Sequence, residues 1–316
     1  MRPNTRERLV ARLAGWLSIP TRPGDFVKLF CWSRSVATSS GRAESMWDVL
    51  KQLDSTLDGA LIVGDAGERA NRLGEMTLDG FRAALETSNE LDPALGGTQI
   101  RSTDGRASLL VEWARDEKAP LTTILGTFSE SYLDDSSNVA RVRDFSQALA
   151  RAASVEYLLV SHISDESSKL RASGEVAKKR GTRPIPRYEA KPARYIPYVP
   201  WLLVLGPQYV NFFGRSQVDH LEGRESWWIG EHVGVVTAPS PLDYGTSEVV
   251  EHERRIRSQL GSECFFDPTA PDKVALGPDY AAPYKVWPQE GQERTVWDGY
   301  PSASGVHVVE RTVGDE

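Results

Sequence analysis

Apolar and polar residues along this chain follow two periods, and the switches between them mark its elements. Phe26 to Trp32 is a short β-branched and aromatic run and reads as a strand. Within Ala43 to Leu53, the residues Met46, Trp47, Val49, Leu50 and Leu53 fall on one face of a helix. Thr98 to Ser102 and Arg106 to Ala114 flank Asp104-Gly105, a pair suited to a tight hairpin turn. Leu121 to Phe128 adds a strand. Asp135-Ser136-Ser137 offers side-chain acceptors for the free N–H groups of a helix, predicted from about Asn138 to Ala153 with Val139, Val142, Phe145, Leu149 and Ala152 inward. Glu156 to Ile163 returns to strand character.

The same theme follows later in the chain. Val199 to Leu205, with Trp201 inside it, is a buried-strand pattern stopped by Gly206-Pro207, because proline removes a donor yet suits a first helical turn. Tyr209 to Phe213 then reads as a short helix closed by Gly214. Trp227 to Ile229 and His232 to Thr237 flank the turn pair Gly230-Glu231. Thr246 or Ser247 caps a helix through Leu260, with Val249, Val250, Glu253, Ile256, Arg257 and Leu260 along its inner face and rim, and Gly261 ends it.

The pattern predicts an α+β protein of two similar strand-hairpin-helix units, forming mixed or antiparallel sheets flanked by helices. The first unit spans 1–168 and includes an amphipathic N-terminal helix, a basic Pro-containing linker covers 169–198, and the second unit covers 199–262. Residues 263–316 form a wrapping tail, because Pro268, Pro271, Pro278, Pro283, Pro288 and Pro301 interrupt helices while Tyr280, Tyr284, Trp287, Trp297 and Tyr300 supply apolar anchors. Trp47, Trp113, Trp201 and Ile256 are expected in the core.

Composition narrows the function classes. With 316 residues, 40% hydrophobic and 26% charged, the chain can bury a substantial core. Its apolar runs fall far short of the ~20 residues a membrane helix needs, so no membrane partner is expected. Cys31 and Cys264 sit among apolar residues and read as buried thiols in a cytoplasmic protein. The net charge of -7 is uneven: Glu44 to Asp92 holds 11 acidic residues against 4 basic, whereas Lys169 to Arg194 holds 2 against 9. An acidic surface opposes direct nucleic-acid binding, which requires excess Lys and Arg on the contacting face.

Chemical motifs are weak throughout. The five histidines are dispersed without metal-ligand spacing, so neither a metal nor a cofactor is expected. Gly64-Asp65-Ala66-Gly67 lacks the glycine pattern and lysine of a phosphate loop. Ser161-His162 with Asp165-Glu166 supplies the residue types of a hydrolase, but strand neighbours point to opposite faces and no nucleophile elbow surrounds the serine. No catalytic residue is therefore assigned.

Three segments carry a resemblance. Pro200-Trp201-Leu202-Leu203-Val204-Leu205 is followed by Trp227-Trp228-Ile229-Gly230-Glu231-His232-Val233-Gly234-Val235-Val236-Thr237, and then by Glu251-His252-Glu253-Arg254-Arg255-Ile256-Arg257-Ser258-Gln259-Leu260-Gly261. In this order they resemble immunity proteins of bacterial polymorphic toxin systems, over about residues 25–262; the basic linker and proline-rich tail depart from that pattern. The resemblance implies a non-catalytic cytoplasmic antitoxin that covers the active site of a cognate toxin, a nuclease encoded by an adjacent gene. Asp54, Asp58, Asp65, Glu68, Asp134 and Asp135 lie in turn-rich acidic stretches and are its candidate partner-binding residues. Two other classes remain open. One is an enzyme whose site assembles on folding around His162 or His252, and the other is a scaffold or regulatory module of a secretion or phage-related operon.

Overall fold

A computed structural model describes residues 26–33, 47–49, 61–64, 71–72, 77–79, 81, 95–101, 106–114, 121–153, 155–181, 196–270, 275–278, 295–297 and 308–310. For 61–64, 71–72, 95–101, 112–114, 121–122, 180, 295–297 and 308–310 the description is of the backbone. The expected N-terminal helix, the Asp104-Gly105 turn, residues 182–195 of the basic linker and most of the tail lie outside the described residues. Helix Ala43 to Leu53 is represented by 47–49, which are helical, with Trp47 and Val49 buried.

The first stretch supplies β1 (Phe26–Ser33), β2 (Leu61–Gly64), β3 (Asn71–Arg72), β4 (Leu95–Arg101), β5 (Ala107–Ala114), β6 (Leu121–Ser129), α1 (Glu130–Leu133), α2 (Ser136–Ala152) and β7 (Val155–His162). After it come α3 (Ile163–Lys169) and α4 (Gly174–Arg180). Then follow β8 (Leu202–Leu205), α5 (Pro207–Phe213), α6 (Arg215–Val218), β9 (Glu225–Ile229), β10 (His232–Val236) and α7 (Ser247–Leu260). Among the described residues ten strands form one antiparallel sheet in the order β3-β2-β4-β5-β6-β1-β7-β8-β10-β9. The α+β expectation with antiparallel strands and flanking helices therefore holds. Both stretches build the same sheet, because β8 pairs with β7 in the register Tyr157↔Leu205 to Val160↔Leu202. A separate two-stranded ribbon joins β11 (Thr295–Trp297) to β12 (Val308–Glu310).

The reason for the layering lies in the strand alternation. On β1, Val27, Leu29 and Cys31 join one apolar cluster while Phe30 and Trp32 join another; β7 divides Leu158 and Val160 from Tyr157 and Leu159 in the same way. β7, β8 and β10 are buried along their whole length, so both faces of the sheet are covered there. This explains why β8 and the middle of β7, Tyr157 to Val160, read as unbroken apolar runs, a pattern more usual in parallel sheets. The α2 helix contributes Val139, Val142, Phe145 and Leu149 to the first cluster, whereas α5 and α7 contribute Tyr209, Val210, Ile256 and Leu260 to the second.

Local signals placed the helix ends closely. Asp135 caps α2, Thr246 caps α7, Pro207 opens α5, and Gly214 and Gly261 take φ angles of 87° and 86° at the helix stops. Val250 differs from expectation: it points to solvent at 51% exposure, one position off the face that buries Val249 and Ile256. Trp47, Trp201 and Ile256 are buried as anticipated, and the side chain of Trp113 lies outside the described set. Cys31 and Cys264 are buried free thiols on opposite faces of the sheet, with burial pushing Cys264 up to about 11 and Cys31 higher still.

Candidate partner-binding edge

At the end of the sheet where β6 and β7 finish, Glu130, Asp134 and Asp135 follow one another around the corner between β6 and α2, and Glu130 is tied through His162 to Tyr244. Ser129 leaves β6 in an extended conformation and its hydroxyl accepts from Tyr132 N–H at 3.2 Å, which starts α1. Tyr132 and Leu133 face inward, with the Tyr132 ring stacked on Phe128 at 5.8 Å, so Glu130 is left at the rim. The chain then passes through Asp134, whose N–H donates to the Glu130 carbonyl at 2.9 Å, and into α2. Asp135 caps α2 by accepting from Ser137 N–H at 2.8 Å, and this hydrogen bond holds its carboxyl below the usual aspartate range. Asn138 Nδ2 donates to the Tyr132 carbonyl at 2.8 Å and locks the corner.

His162 joins this corner to a distant loop. At the last position of β7 it caps α3, and Nδ1 accepts from Ser164 N–H at 3.1 Å. The proton of a neutral ring must then sit on Nε2, which donates to Glu130 Oε1 at 2.6 Å. The imidazole is only 1% exposed because Tyr244 stacks on it at 4.5 Å, the planes 12° apart. Tyr244 follows a single helical turn, Pro241–Asp243, closed by Leu242 N–H donating to Ser240 Oγ at 3.2 Å and Ser240 N–H donating to Asp243 Oδ2 at 3.0 Å. It remains 37% exposed. Glu130, Asp134, Asp135 and the outer face of Tyr244 are thus held by short-range caps and by one buried histidine.

A partly buried ion cluster forms around Lys169 of α3. Lys169 Nζ donates to Asp165 Oδ2 and Glu253 Oε1, both at 2.7 Å, and to the Val199 carbonyl at 2.8 Å. All three ammonium protons are used, and the charge sits 5.6 Å from the centre of the Tyr198 ring. Burial nevertheless pushes the Glu253 carboxyl above its ordinary value, against the opposing pull of Lys169. Lys28 and Glu166 add a second pair at 3.6 Å.

These contacts separate the residues that suggested a hydrolase. Ser161 Oγ donates to Asp165 Oδ2 at 3.1 Å, whereas the His162 imidazole engages Glu130, Ser164 and Tyr244. His252 lies elsewhere, its Nδ1 3.1 Å from the Glu222 carbonyl. Among the described residues no group of three or more His, Cys, Asp or Glu side chains could hold a metal ion, and no helix is long and apolar enough to cross a membrane. Of the candidate binding residues, the structure brings Asp134 and Asp135 together at this edge, both exposed. Asp54, Asp58, Asp65 and Glu68 lie outside the described residues. Glu130 and Tyr244 escaped the sequence reading, since nothing local in the chain links a glutamate after a strand to a tyrosine in a proline-rich turn.

No protein-family model matches the chain, and no curated protein sequence matches it. Among solved structures, one described as Pseudomonas aeruginosa T6SS protein PA0821 shares the fold, with a TM-score of 0.54 at 13% identity over 80% of this chain and 82% of that one. A second, the Trypanosoma brucei AdoMetDC-delta26 monomer, aligns at a TM-score of 0.20 and 10% identity over 69% and 67% of the two chains, too low to bear on the fold.

Proposed function

We propose that this chain is a non-catalytic immunity protein of the cytoplasm, which binds a cognate toxin and neutralises it by covering its active site. The observation that carries the reading is the edge itself: Glu130 and the exposed Asp134 and Asp135 follow one another around one corner, and Glu130 is bonded to the buried histidine on which the partly exposed Tyr244 stacks. A nuclease holds its phosphate substrate in a basic cleft. An acidic rim steers the two proteins together, and a fixed aromatic supplies contact area at little entropic cost. Preorganisation matters because the caps and the His162 contacts are made before the partner arrives. The likeness to a T6SS protein supports a secretion-system setting, in which the toxin is the product of an adjacent gene.

The test begins with a pull-down using the adjacent gene product, followed by association kinetics over a salt series. Asp134→Lys with Asp135→Lys should lower the association rate on the order of tenfold at low salt and flatten its salt dependence. Tyr244→Ala should act mainly on dissociation. Wild-type rates and salt slopes in the double variant would remove this edge from the interface. Turnover of a small substrate by the purified protein, lost on His162→Ala, would replace the binding role with an enzymatic one.

A further inference from the structure

Among the described residues β9 is the last strand of the sheet, and it pairs on one side with β10. Its register decides which peptide groups are left over. The two-residue turn Gly230-Glu231, with Gly230 at φ 60°, makes Ile229 and His232 the closing hydrogen-bonded pair, so Trp227–Gly234 and Glu225–Val236 are the next ones along. In agreement, the Val236 carbonyl faces β9 and accepts from Arg224 N–H at 2.8 Å. The N–H and C=O groups of Ser226 and Trp228 therefore point away from β10, and among the described residues none bonds to them. Such an edge is a template for another strand unless lysine or proline blunts it. β9 reads Glu-Ser-Trp-Trp-Ile, contains neither, and holds two half-buried tryptophans.

We propose that a second copy of this chain occupies the edge, pairing β9 with β9 antiparallel across a two-fold axis. Charge selects this occupant. Arg224 stands at one end of the strand, 42% exposed with its Glu248 contact at 3.8 Å, and Glu231 stands exposed in the turn at the other end. Glu225, the first residue of the strand, is already matched by Arg143 at 3.0 Å, so a strand with a cation just before its start and an anion just past its finish is complementary to itself when reversed. With Trp227 on the axis, Ser226 of each copy meets Trp228 of the other in a hydrogen-bonded pair, and all the outward peptide groups of the two strands are satisfied. The same register sets Arg224 opposite Gly230 of the second copy, one residue from Glu231, twice by symmetry. Trp227 then faces its own equivalent at a non-hydrogen-bonded position, where side chains come closest. This contact is independent of the acidic edge and of the toxin-binding reading.

Sedimentation velocity of the full chain, from low-micromolar to hundred-micromolar concentration, is expected to give a monomer–dimer equilibrium. Ser226→Pro removes the outward N–H without touching the β10 ladder and should weaken the dimer at least tenfold, about 1.4 kcal/mol. Arg224→Glu should weaken it several-fold, and adding Glu231→Arg should restore it, which a general loss of folding would not do. A monomer throughout the series overturns the proposal, as does a dimer that both Ser226→Pro and Arg224→Glu leave unchanged. Slow amide exchange at Ser226 and Trp228 in a monomeric sample also overturns it, because another segment of the same chain would then cover the edge.

Discussion

Replacing Trp201 with alanine tests the central join of the fold. Trp201 is 5% exposed, sits at the entrance to β8, and packs in the same apolar cluster as Ala238 and Val249. Its Nε1 donates to the Ala238 carbonyl at 2.9 Å, while its own carbonyl accepts from Thr237 N–H at 2.9 Å. The backbone bond survives truncation and the side-chain bond does not. Loss of a buried tryptophan costs ~3 to 5 kcal/mol through transfer and residual cavity together. Stranding the buried Ala238 carbonyl adds about 1 kcal/mol unless water reaches it. Trp201→Phe keeps most of the volume and loses the hydrogen bond, so it should cost roughly 1 to 2 kcal/mol. Urea unfolding followed by circular dichroism reads both variants on one slope. An alanine variant within about 0.5 kcal/mol of wild type would show that this indole fills no core. Equal losses in the two variants would shift the weight from volume to the hydrogen bond.

Lys169→Met should destabilise by about 2 to 4 kcal/mol, since it leaves Asp165 and Glu253 facing each other in a poorly solvated site; Glu253→Gln should cost little at neutral pH, because burial already disfavours that carboxylate and the amide oxygen still accepts from Lys169. Denaturant midpoints at pH 7 check both, and a harmless Lys169→Met would refute the clamp. His232 is pinned with Nε2 2.8 Å from the Val155 carbonyl and Nδ1 3.3 Å from the Ile229 carbonyl, and burial lowers its pKa despite both bonds and the nearby Glu231 charge. Because the unfolded imidazole then binds protons more readily than the folded one, its contribution is complete above about pH 6.5 and is lost as pH falls through that value toward the folded pKa. Midpoints between pH 7 and 5 should therefore drop less in His232→Gln than in wild type. Gly206→Ala should be strongly destabilising, since an added Cβ would lie 2.1 Å from the Val155 carbonyl oxygen, and a wild-type melting temperature would contradict that packing.

What the sequence determined by itself was whatever depends on a few neighbouring residues. Asp135 as a cap, Pro207 at a helix start, Gly261 at a stop, Gly230-Glu231 as a turn and the inward face of α2 each follow from local hydrogen bonding and steric limits. The α+β class follows from their order. The short elements were harder to read: α1 and α3 span one or two turns, too few residues for a period to emerge, and α4 lies in a stretch whose charge masked its helical character. Burial on both faces also removed the alternation that would have distinguished β7 and β8 as antiparallel strands. Only the tertiary structure decided that β1 lies between β6 and β7, that β8 continues the same sheet, and that β9 ends it. It alone brought Glu130 to His162 and Tyr244, and Lys169 to Glu253. Such contacts form between residues far apart in the chain, where each side chain's partner is set by how strands pair and layers stack, and no local pattern records that choice.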